Sequence, residues 1–398
     1  MTMASSDTGT TVLHVGKHFP PDAGGMETYL RDLMVASEER GVRTLALVHH
    51  ARPSPRSVEE VYPVGATHLT VFRAANWFRF MFTPISPTFP WLMQRLIQRY
   101  RPQVLHLHLP NPSAMWALLL PSARRRPWVI HWQSDVVTPE SRWALRLLYW
   151  FYAPLESALL RRARKIIVSS PPYLASSRTL APFRSQCTTI PLGIADRFRQ
   201  SDTRASTAES AGPLKVLAIG RLTFYKGFDV LLRAIAKTTG IELDLVGDGA
   251  HFAQLQQLAS SLGINSRVRF HGSVSDEARD SLLQACDCVC LPSTDRAESF
   301  GIVLLEAMSA SKACVVSDVA GSGMSWLVET EKTGLVVPSN DAPALAAALE
   351  RLKNNRPLLT DWGLAGRRKF NQALTIDASA QAVVALYREL LHARAAGE

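Results

Sequence analysis

The segment 214-LKVLAIGRLTFYKGFDVLLRAI-235 decides the fold class. Its first seven residues form an apolar strand, a short turn carrying Arg221 and Lys226 follows, and a helix then begins with Leu231 and Leu232 on its apolar face. A strand that passes through a polar turn into an amphipathic helix is half of a βαβ unit, in which the strands are parallel. The segment therefore predicts an α/β protein.

The same strand–helix alternation runs along most of the chain. Strands are predicted at 11–16, 43–49, 67–72, 103–109, 128–132 and 165–170, and again at 214–220, 241–247, 267–272, 287–292, 313–318 and 334–338. The segment 199-RQSDTRASTAESAGP-213 has no large apolar side chain and is typical of a linker. We therefore expect two doubly wound, Rossmann-like domains with a ligand cleft between them.

The expected domain bounds follow from this alternation. Residues 1–198 form the first domain, 199–213 the linker and 214–374 the second domain. A last amphipathic helix over 375–398 is expected to pack back on the first domain.

Composition excludes several classes of protein. With 398 residues, 47% of them hydrophobic and 20% charged, the chain is typical of a globular protein of two domains. The N-terminus has no secretory signal, and no apolar run of about 20 residues offers a membrane span. The five cysteines suit small core residues in a reducing compartment, and no His or Cys cluster shows metal-ligand spacing. These features predict a cytoplasmic protein.

The net charge of +10 is unevenly distributed. Residues 1–197 hold 23 Lys and Arg against 12 Asp and Glu, whereas the remainder carries a net charge of −1. A basic first half indicates an anionic partner, which could be nucleic acid, an acidic membrane surface or a phosphorylated substrate.

In the second half, Arg221 and Lys226 lie directly after a strand, where a parallel sheet binds its ligands. A planar guanidinium and an ammonium placed together suit a diphosphate, although both could be ordinary surface turn residues.

The segment 298-ESFGIVLLEAM-308 carries a second phosphate signal. Gly301 precedes an apolar helix, and the first backbone amides of a helix bind anions. Those amides belong to Phe300, Gly301, Ile302 and Val303. Glu298 lies before the helix, and Glu306 lies within it, where a carboxylate could accept two hydrogen bonds from vicinal hydroxyls of a ribose. A loop acid and a solvated helix acid are the alternative interpretations.

Four segments together, GRLTFYKG (220–227), VGDG (246–249), FHGSVSD (270–276) and ESFGIVLLEAM, resemble glycosyltransferase family 4. This family has the GT-B fold of two facing Rossmann-like domains with a deep cleft between them. It transfers sugars from nucleotide-sugar donors with retention of anomeric configuration and without a cofactor or divalent metal. The resemblance runs from about Val12 to the last helix.

The resemblance implies roles for particular residues of the second half. Arg221 and Lys226 would neutralise the donor diphosphate, the backbone of 301–303 would bind its distal phosphate, and Glu306 would bind the ribose. Glu298 would hold hydroxyls of the donor sugar. Backbone groups near Ser273 and Val274 would meet the nucleobase.

In the first half, 16-GKHFPPDAGGMET-28 matches the glycine-rich segment of the family, in which Gly24 and Gly25 let the donor or acceptor approach the backbone. His131 ends a strand at the position of the family's histidine near the donor sugar, where its carbonyl would support charge at the anomeric carbon. His108 and Asp135 are expected at the acceptor. His106 shares one strand face with His108.

The motifs are most similar to the mannosyl- and rhamnosyltransferase branch, which uses GDP-sugars in bacterial O-antigen, lipopolysaccharide or exopolysaccharide synthesis; UDP-sugar donors stay open. The acceptor is expected to be a saccharide or a lipid-pyrophosphate. Arginines alternate with Trp, Tyr and Leu in 91–101, 124–126 and 142–165. This surface could lie on the anionic inner leaflet of the inner membrane, or its aromatic side chains could pack in the core.

Three other functions are alternatives. A nucleotide-sugar epimerase needs acidic groups near His131, and no matching set is evident. A nucleic-acid-binding module would use the basic half, but no helix-turn-helix, zinc or base-stacking signature is present, so no nucleic-acid partner is expected. A ligand-binding scaffold would share the site and lack turnover.

Overall fold

The computed structural model describes residues 9–21, 24–65, 67–80, 83–136, 143–199 and 212–396. The chain forms two compact units. The first unit contains the residues up to Ser169, then Ser177–Pro191, then those from Ile376 onward. The second unit contains Ser170–Ser176 and Leu192–Thr375.

Sixteen strands lie in the described residues. They are β1 (Thr10–Val15), β2 (Val42–His49), β3 (Val58–Val64), β4 (Thr67–Ala74), β5 (Phe78–Phe80), β6 (Thr83–Ile85), β7 (Val104–Leu109), β8 (Trp128–Trp132), β9 (Lys165–Val168), β10 (Cys187–Thr189), β11 (Leu214–Ile219), β12 (Ile241–Val246), β13 (Val268–Gly272), β14 (Cys288–Leu291), β15 (Ala313–Asp318) and β16 (Gly334–Pro338).

Fourteen α-helices lie in the same residues. They are α1 (Gly25–Glu38), α2 (Phe89–Tyr100), α3 (Trp116–Leu119), α4 (Pro121–Arg124), α5 (Trp143–Arg162), α6 (Pro171–Ser176), α7 (Phe228–Ala236), α8 (Phe252–Ser261), α9 (Asp276–Ala285), α10 (Ile302–Ser309), α11 (Met324–Leu327), α12 (Ala342–Asn354), α13 (Arg356–Ala373) and α14 (Ile376–Ala395).

Each unit is built on one sheet. In the first unit the strand order is β10-β9-β8-β7-β1-β2-β4-β3, and in the second it is β13-β12-β11-β14-β15-β16. All neighbouring strands of the second sheet are parallel. In the first sheet only the edge strand β3 runs antiparallel to its neighbour β4. The predicted α/β class and the doubly wound order are confirmed.

All twelve predicted strands are present, and four further strands were missed. β3 forms a hairpin with β4 through Gly65, which has φ 57°, and β5 and β6 form a separate short hairpin. β10 is a three-residue edge strand beside β9. These strands are short or exposed, so their apolar pattern is weak.

The predicted helix at 112–123 is divided into three pieces. A 3₁₀ turn at Pro112–Met115 leads into α3, and α4 begins at Pro121. The break at Leu120 has a physical cause, because the residue before a proline is driven out of the helical region. Of the predicted helix at 139–162, the part from Trp143 is described, and 139–142 lie outside the described residues.

The boundary between the units differs from the predicted one at residue 198. Residues 192–198 belong to the second unit, where Asp196 accepts two hydrogen bonds of 2.7 Å from the Arg367 guanidinium on α13. Helix α6 also belongs there, since the Arg296 guanidinium lies 4.4 Å from the centre of the Tyr173 ring. Most of the predicted linker, residues 200–211, lies outside the described residues.

The terminal helix α14 packs on α1 in the first unit. The Tyr29 hydroxyl and the Ser379 hydroxyl are 2.9 Å apart, and the Arg40 guanidinium donates to Asp377 at 2.7 Å. The last residues of the chain therefore complete the first unit.

All five cysteines are free of disulfides, and Cys286, Cys288, Cys290 and Cys314 are buried. They fill the core of the second unit, as expected for small apolar side chains.

Candidate active site

The carboxyl edge of the second sheet is held together by backbone hydrogen bonds between the loops that leave its strands. The Gly220 amide donates to Val246 at 3.0 Å, the Leu222 amide to Asp248 at 2.9 Å and the Gly247 amide to the Gly272 carbonyl at 2.8 Å. The loops after β11, β12 and β13 therefore form one connected edge.

Glycine makes this close approach possible. At Gly247, where φ is 136°, a Cβ atom would lie 1.9 Å from the Gly220 carbonyl oxygen. At Gly227, where φ is 65°, it would lie 2.1 Å from the Pro292 carbonyl oxygen. Any larger residue would push the loops apart, so these two glycines set the geometry of the edge.

An ion pair stands at the centre of this edge. Lys226 and Glu298, both predicted as site residues, have their Nζ and Oε2 atoms 2.5 Å apart, and each side chain is 12% exposed. Lys226 lies over Gly220, where an added Cβ would be 3.2 Å from Nζ. Arg221 is exposed on the same loop. Two cations and an acid are thus gathered at the strand ends, as the sequence predicted.

Glu298 is fixed by residues that sequence reasoning did not identify. Ser322 donates a hydrogen bond of 2.5 Å to the Glu298 backbone carbonyl, and Ser293 donates one of 3.4 Å to its carboxylate. Both serines are buried. They lie in loops after β14 and β15, so neighbouring strand ends supply the support.

Helix α10 begins at this edge. Gly301, with φ 88°, is its N-cap, and Phe300 before it is buried. The first amides of an α-helix have no carbonyl partner within the helix, so those of Ile302 and Val303 are available to an anion. The structure thus provides the helix start that the sequence predicted beside Glu298.

Glu306 lies one turn further along α10. Its carboxylate is 3.7 Å from the Arg279 guanidinium of α9, which is also 3.0 Å from Asp276. Burial raises the pKa of Glu306 to about 7, while the charge of Arg197 lowers it and that of Asp280 raises it. A carboxyl that titrates near neutrality next to an arginine can bind hydroxyl groups in either form.

Arg279 was missed in the sequence because it lies on α9, far from Glu306 along the chain. The predicted nucleobase residues Ser273 and Val274 lie in the turn that leads into α9, and Ser275 caps that helix by accepting from the Ala278 amide at 3.2 Å. The sequence signal that could have located helix α9, and with it Arg279, was the serine N-cap directly after FHGSV.

In the first unit, Gly25 opens α1 and Gly24 is its N-cap, and the Thr28 amide donates to the Gly24 carbonyl at 3.1 Å. The preceding residues 22 and 23 lie outside the described residues. The predicted glycine-rich segment therefore does lead into the first helix.

His131 is wholly buried within a group of four histidines, which we call the histidine stack (His14, His106, His108 and His131). Its ring lies 5.5 Å from those of His106 and His108, at interplanar angles of 11° and 15°. The Tyr29 ring meets it edge-on at 5.2 Å. Strand pairing explains the grouping, because His14 is opposite His106 and His108 is opposite His131.

The histidine stack is neutral because charged imidazoles are costly in the protein interior. Burial lowers the pKa of His14 and of His131 to about 3. It holds the pKa of His106 and of His108 well below the usual range, with further lowering by neighbouring histidines. One ring nitrogen from each of His14, His106 and His108 lies within 4.8 Å of the others. No His or Cys cluster with metal-ligand spacing was expected from the sequence, and the pairing of β1 with β7 nevertheless brings these three histidines together.

Asp135 follows β8 and accepts hydrogen bonds from the Trp132 indole at 2.9 Å and from Ser177 at 2.8 Å. Glu156 on α5 is almost wholly buried and accepts from the Tyr149 hydroxyl at 2.9 Å. Burial is the main cause that raises the pKa of Glu156 to about 7; the Tyr149 hydrogen bond opposes this rise and the charge of Asp135 contributes to it. Glu156 was not identified from the sequence, where it lies unremarked in an apolar helix.

The described residues contain no helix long and apolar enough to span a membrane.

Together, two doubly wound units with cations and a helix start gathered at the strand ends of the second are typical of the GT-B class of glycosyltransferases. The comparisons agree. Residues 199–369 match the family described as "Glycosyl transferases group 1", and residues 24–193 match "Glycosyl transferase 4-like domain".

Relatives cover nearly the whole chain. The O-antigen chain mannosyltransferase C of Escherichia coli is 31% identical over 388 residues, which are 96% of this chain and 99% of that protein. The D-rhamnosyltransferase WbpZ of Pseudomonas aeruginosa is 29% identical and covers 92% of each chain. The chain therefore belongs to glycosyltransferase family 4, and it is a glycosyltransferase.

A solved structure shows the same fold. Sucrose-phosphate synthase from Thermosynechococcus elongatus is 24% identical, with a TM-score of 0.78 over 96% of this chain and all of that one. The predicted GT-B fold is confirmed.

Proposed function

We propose that this glycosyltransferase moves a hexose, mannose or rhamnose, from a GDP-sugar to a saccharide or lipid-linked acceptor with retention of anomeric configuration. The product belongs to bacterial surface polysaccharide, either O-antigen, lipopolysaccharide or exopolysaccharide. The observation that carries the proposal is the Lys226–Glu298 pair beside the start of α10, which joins a phosphate-binding cation to a hydroxyl-binding acid.

The positive groups of the second unit suit a departing diphosphate. Lys226 and Arg221 provide two cations at the strand ends, and the amides of α10 add the positive end of a helix dipole. These groups become more favourable as negative charge develops on the leaving diphosphate, so they lower the barrier. They supply the role that a divalent ion would otherwise have, and transfer should persist in excess chelator.

Two acidic residues are suited to bind the hydroxyl groups of the donor. Glu298, held by Ser293 and Ser322, is suited to the sugar, and Glu306 with Arg279 to the ribose. Ser273 and Val274 would meet the nucleobase through their backbone. In the first unit, His131 is assigned to the donor sugar, Gly24 and Gly25 to the donor or acceptor, and His108 and Asp135 to the acceptor.

The transfer step conserves atoms and charge as follows. The sugar–phosphate bond breaks, and the acceptor oxygen bonds to the anomeric carbon on the same face. A donor phosphate oxygen takes the acceptor's hydroxyl proton, and GDP leaves. No protein nucleophile is required.

The names of the relatives support the donor and the pathway. One relative is called an O-antigen chain mannosyltransferase and another a D-rhamnosyltransferase, and both align over more than nine-tenths of the chain. A lipopolysaccharide core glycosyltransferase of Rhizobium meliloti, LpsD, is 27% identical. This agreement supports mannose or rhamnose as the donor sugar and a surface-polysaccharide product.

The decisive experiment compares GDP-mannose, GDP-rhamnose and UDP-glucose by thermal shift and by transfer to saccharide acceptors, with and without EDTA. We expect stabilisation by the GDP-sugars and a product whose anomeric configuration, read by NMR, matches the donor. Stabilisation by UDP-glucose alone would show that the donor is a UDP-sugar and not a GDP-sugar. A product of inverted configuration would overturn the mechanism.

An exposed apolar surface on the first unit supports a peripheral position on the cytoplasmic face of the inner membrane. On α5, the side chains of Leu147, Trp150, Phe151 and Leu155 are 54%, 69%, 62% and 47% exposed. On α2, Trp91 is 60% exposed and lies 5.3 Å from the Arg95 guanidinium. Trp128 and Trp132, which lie outside these segments on β8, pack in the core. Arg142 lies outside the described residues.

Arginines near exposed aromatic residues suit anionic lipid, because apolar rings enter the interface while the cations meet the headgroups. A larger fraction of the protein should therefore sediment with phosphatidylglycerol vesicles than with phosphatidylcholine vesicles. Replacing Trp150 and Phe151 by alanine should reduce it, whereas Phe224→Ala, at a 58% exposed aromatic of the second unit, should not. Equal binding by all three proteins would contradict this surface.

A further inference from the structure

The histidine stack contains an unusual number of buried polar atoms without partners. Among the described residues, Nε2 of His14, Nε2 of His106, Nδ1 of His108 and both ring nitrogens of His131 have no hydrogen bond. A buried nitrogen without a partner costs about 1–3 kcal/mol, so most buried polar atoms bind another protein group, a water or an ion. The stack therefore holds ring nitrogens that no other protein group in the described residues engages, among them Nε2 of His106.

The strand register gives these nitrogens a metal-binding arrangement. His106 and His108 alternate along β7, so both side chains project from one face of the sheet. His14 on the neighbouring strand β1 is directly opposite His106. A His-x-His pair on one strand and a third histidine on the next strand therefore place three imidazoles on a rigid support.

The distances fit one ion. The ring centres of His14 and His106 are 4.9 Å apart, those of His106 and His108 are 4.5 Å apart, and one nitrogen of each of the three histidines lies within 4.8 Å of the others. With bonds of about 2.0–2.1 Å, ligand nitrogens on zinc lie about 3.3–3.5 Å apart. His14 Nδ1 and His108 Nε2 are already at 3.1 Å, so only small side-chain movements are needed.

The surroundings also suit a ligand set. The hydroxyl of Tyr387 on α14 lies 2.5 Å from Nδ1 of His106, which leaves Nε2 of that ring as the nitrogen available to an ion. A hydrogen bond on the second nitrogen fixes the tautomer and orientation of a metal-ligating histidine.

We propose that His14, His106 and His108 bind one divalent transition-metal ion, with zinc as the favoured ion, through one ring nitrogen each. Three imidazoles with a fourth position left for water are an established zinc set, and zinc imposes little geometric demand. Metal binding moves the proton between His14 and His108 to the non-ligating ring nitrogen of whichever of the two carries it, so the two neutral imidazoles lose no proton to solvent. The transfer proposed above needs no metal, so this ion is not one of its reactants.

The site is tested on the untagged full-length protein, unfolded in chelator and refolded with Zn²⁺ or Co²⁺. We expect one zinc per chain by mass spectrometry of the metal, and visible Co²⁺ absorption bands of a nitrogen-ligated ion. His106→Asn and His108→Asn should each lose bound metal. His68→Asn, at an exposed histidine of the same unit, should keep it.

Tyr387→Phe removes only the hydroxyl next to His106, and it should weaken zinc binding by about 10–100-fold. An anomalous diffraction peak at the zinc edge among the three histidines, in wild-type crystals, would locate the ion without any variant. Unchanged metal content in both histidine variants would overturn the proposal. So would a stack that, after refolding with zinc, holds an ordered water only.

Discussion

The two units share one architecture and handle their polar residues in opposite ways. In the second unit, charged side chains stand at the strand ends and are balanced by one another, as in the Lys226–Glu298 pair. In the first unit, four histidines lie inside the fold and are kept neutral by burial. The arrangement in the second unit suits a charged ligand such as a diphosphate. The arrangement in the first unit suits a ligand that binds to neutral imidazole nitrogens.

The largest effect should follow loss of Lys226. Lys226→Ala should reduce kcat/KM by about 10²–10³-fold, since one cation facing the leaving diphosphate is removed and Glu298 is left unpaired. Lys332→Ala, at a 73% exposed lysine of the same unit, should be neutral.

A double variant separates the two causes. GDP lacks the sugar that Glu298 would hold, so Lys226→Ala/Glu298→Gln should bind GDP better than Lys226→Ala alone, as measured by calorimetry. Equal GDP binding by the single and the double variant would show that the unpaired Glu298 carboxylate does not repel the diphosphate. It would contradict the interpretation that Lys226 and Glu298 balance each other's charge.

The tight loop edge of the second unit predicts a large loss of stability at Gly227. Gly227→Ala adds a Cβ 2.1 Å from a backbone oxygen at φ 65°, whereas Gly263→Ala adds one at φ 69° with nothing within 4 Å. Gly263→Ala should cost about 1–2 kcal/mol from backbone strain alone. Gly227→Ala should cost distinctly more. Urea denaturation of both variants checks this, and equal losses would mean that the loops adapt.

Glu156 tests the neutral interior of the first unit. Its pKa is raised to about 7 in the folded protein, so the stability from its buried neutral form is present at low pH and lost as pH rises toward 7. Between about pH 5.5 and 8.5 this amounts to about 2 kcal/mol. Glu156→Gln should remove this pH dependence in urea denaturation followed by Trp fluorescence.

The exposed Glu389→Gln should keep the pH dependence of the wild type, because this carboxyl is 64% exposed in the same unit. A Glu156→Gln protein that loses stability with rising pH as steeply as the wild type would show that the buried carboxyl is not the cause.

The smallest effect concerns Glu306. Its pKa is raised to about 7 by burial, so donor affinity should increase by at most about tenfold from pH 6 to pH 8 as the carboxylate forms and accepts ribose hydroxyls. GDP-mannose is the proper ligand, because its diphosphate does not titrate in this range as the terminal phosphate of GDP does. The affinity of Glu306→Gln for GDP-mannose should not change between pH 6 and pH 8. A pH dependence of affinity that persists in this variant would show that Glu306 does not bind the ribose.

The sequence predicted the fold and the second-unit site well because both depend on local pattern. Period-two and helical apolar spacing locate strands and helices, and strand ends locate a ligand edge. Lys226 and Glu298 each lie in the loop that follows a predicted strand, so their sequence positions alone were enough to place them at one edge.

Features that depend on long-range pairing were missed. Arg279 meets Glu306 through the packing of two helices, and His14 joins His106 only through the register of β1 and β7. Residues 192–198 join the second unit through the distant Arg367. No spacing within one segment encodes such partners.

The return of α14 has a consequence for synthesis in the cell. The second unit has all its residues once Thr375 has been made, whereas the first still lacks Ser379 for Tyr29 and Tyr387 for His106. The half that is translated first is thus the last to be completed. A chain that stops before Ile376 can complete only the second unit. Its first unit stays incomplete and exposed to chaperones and proteases.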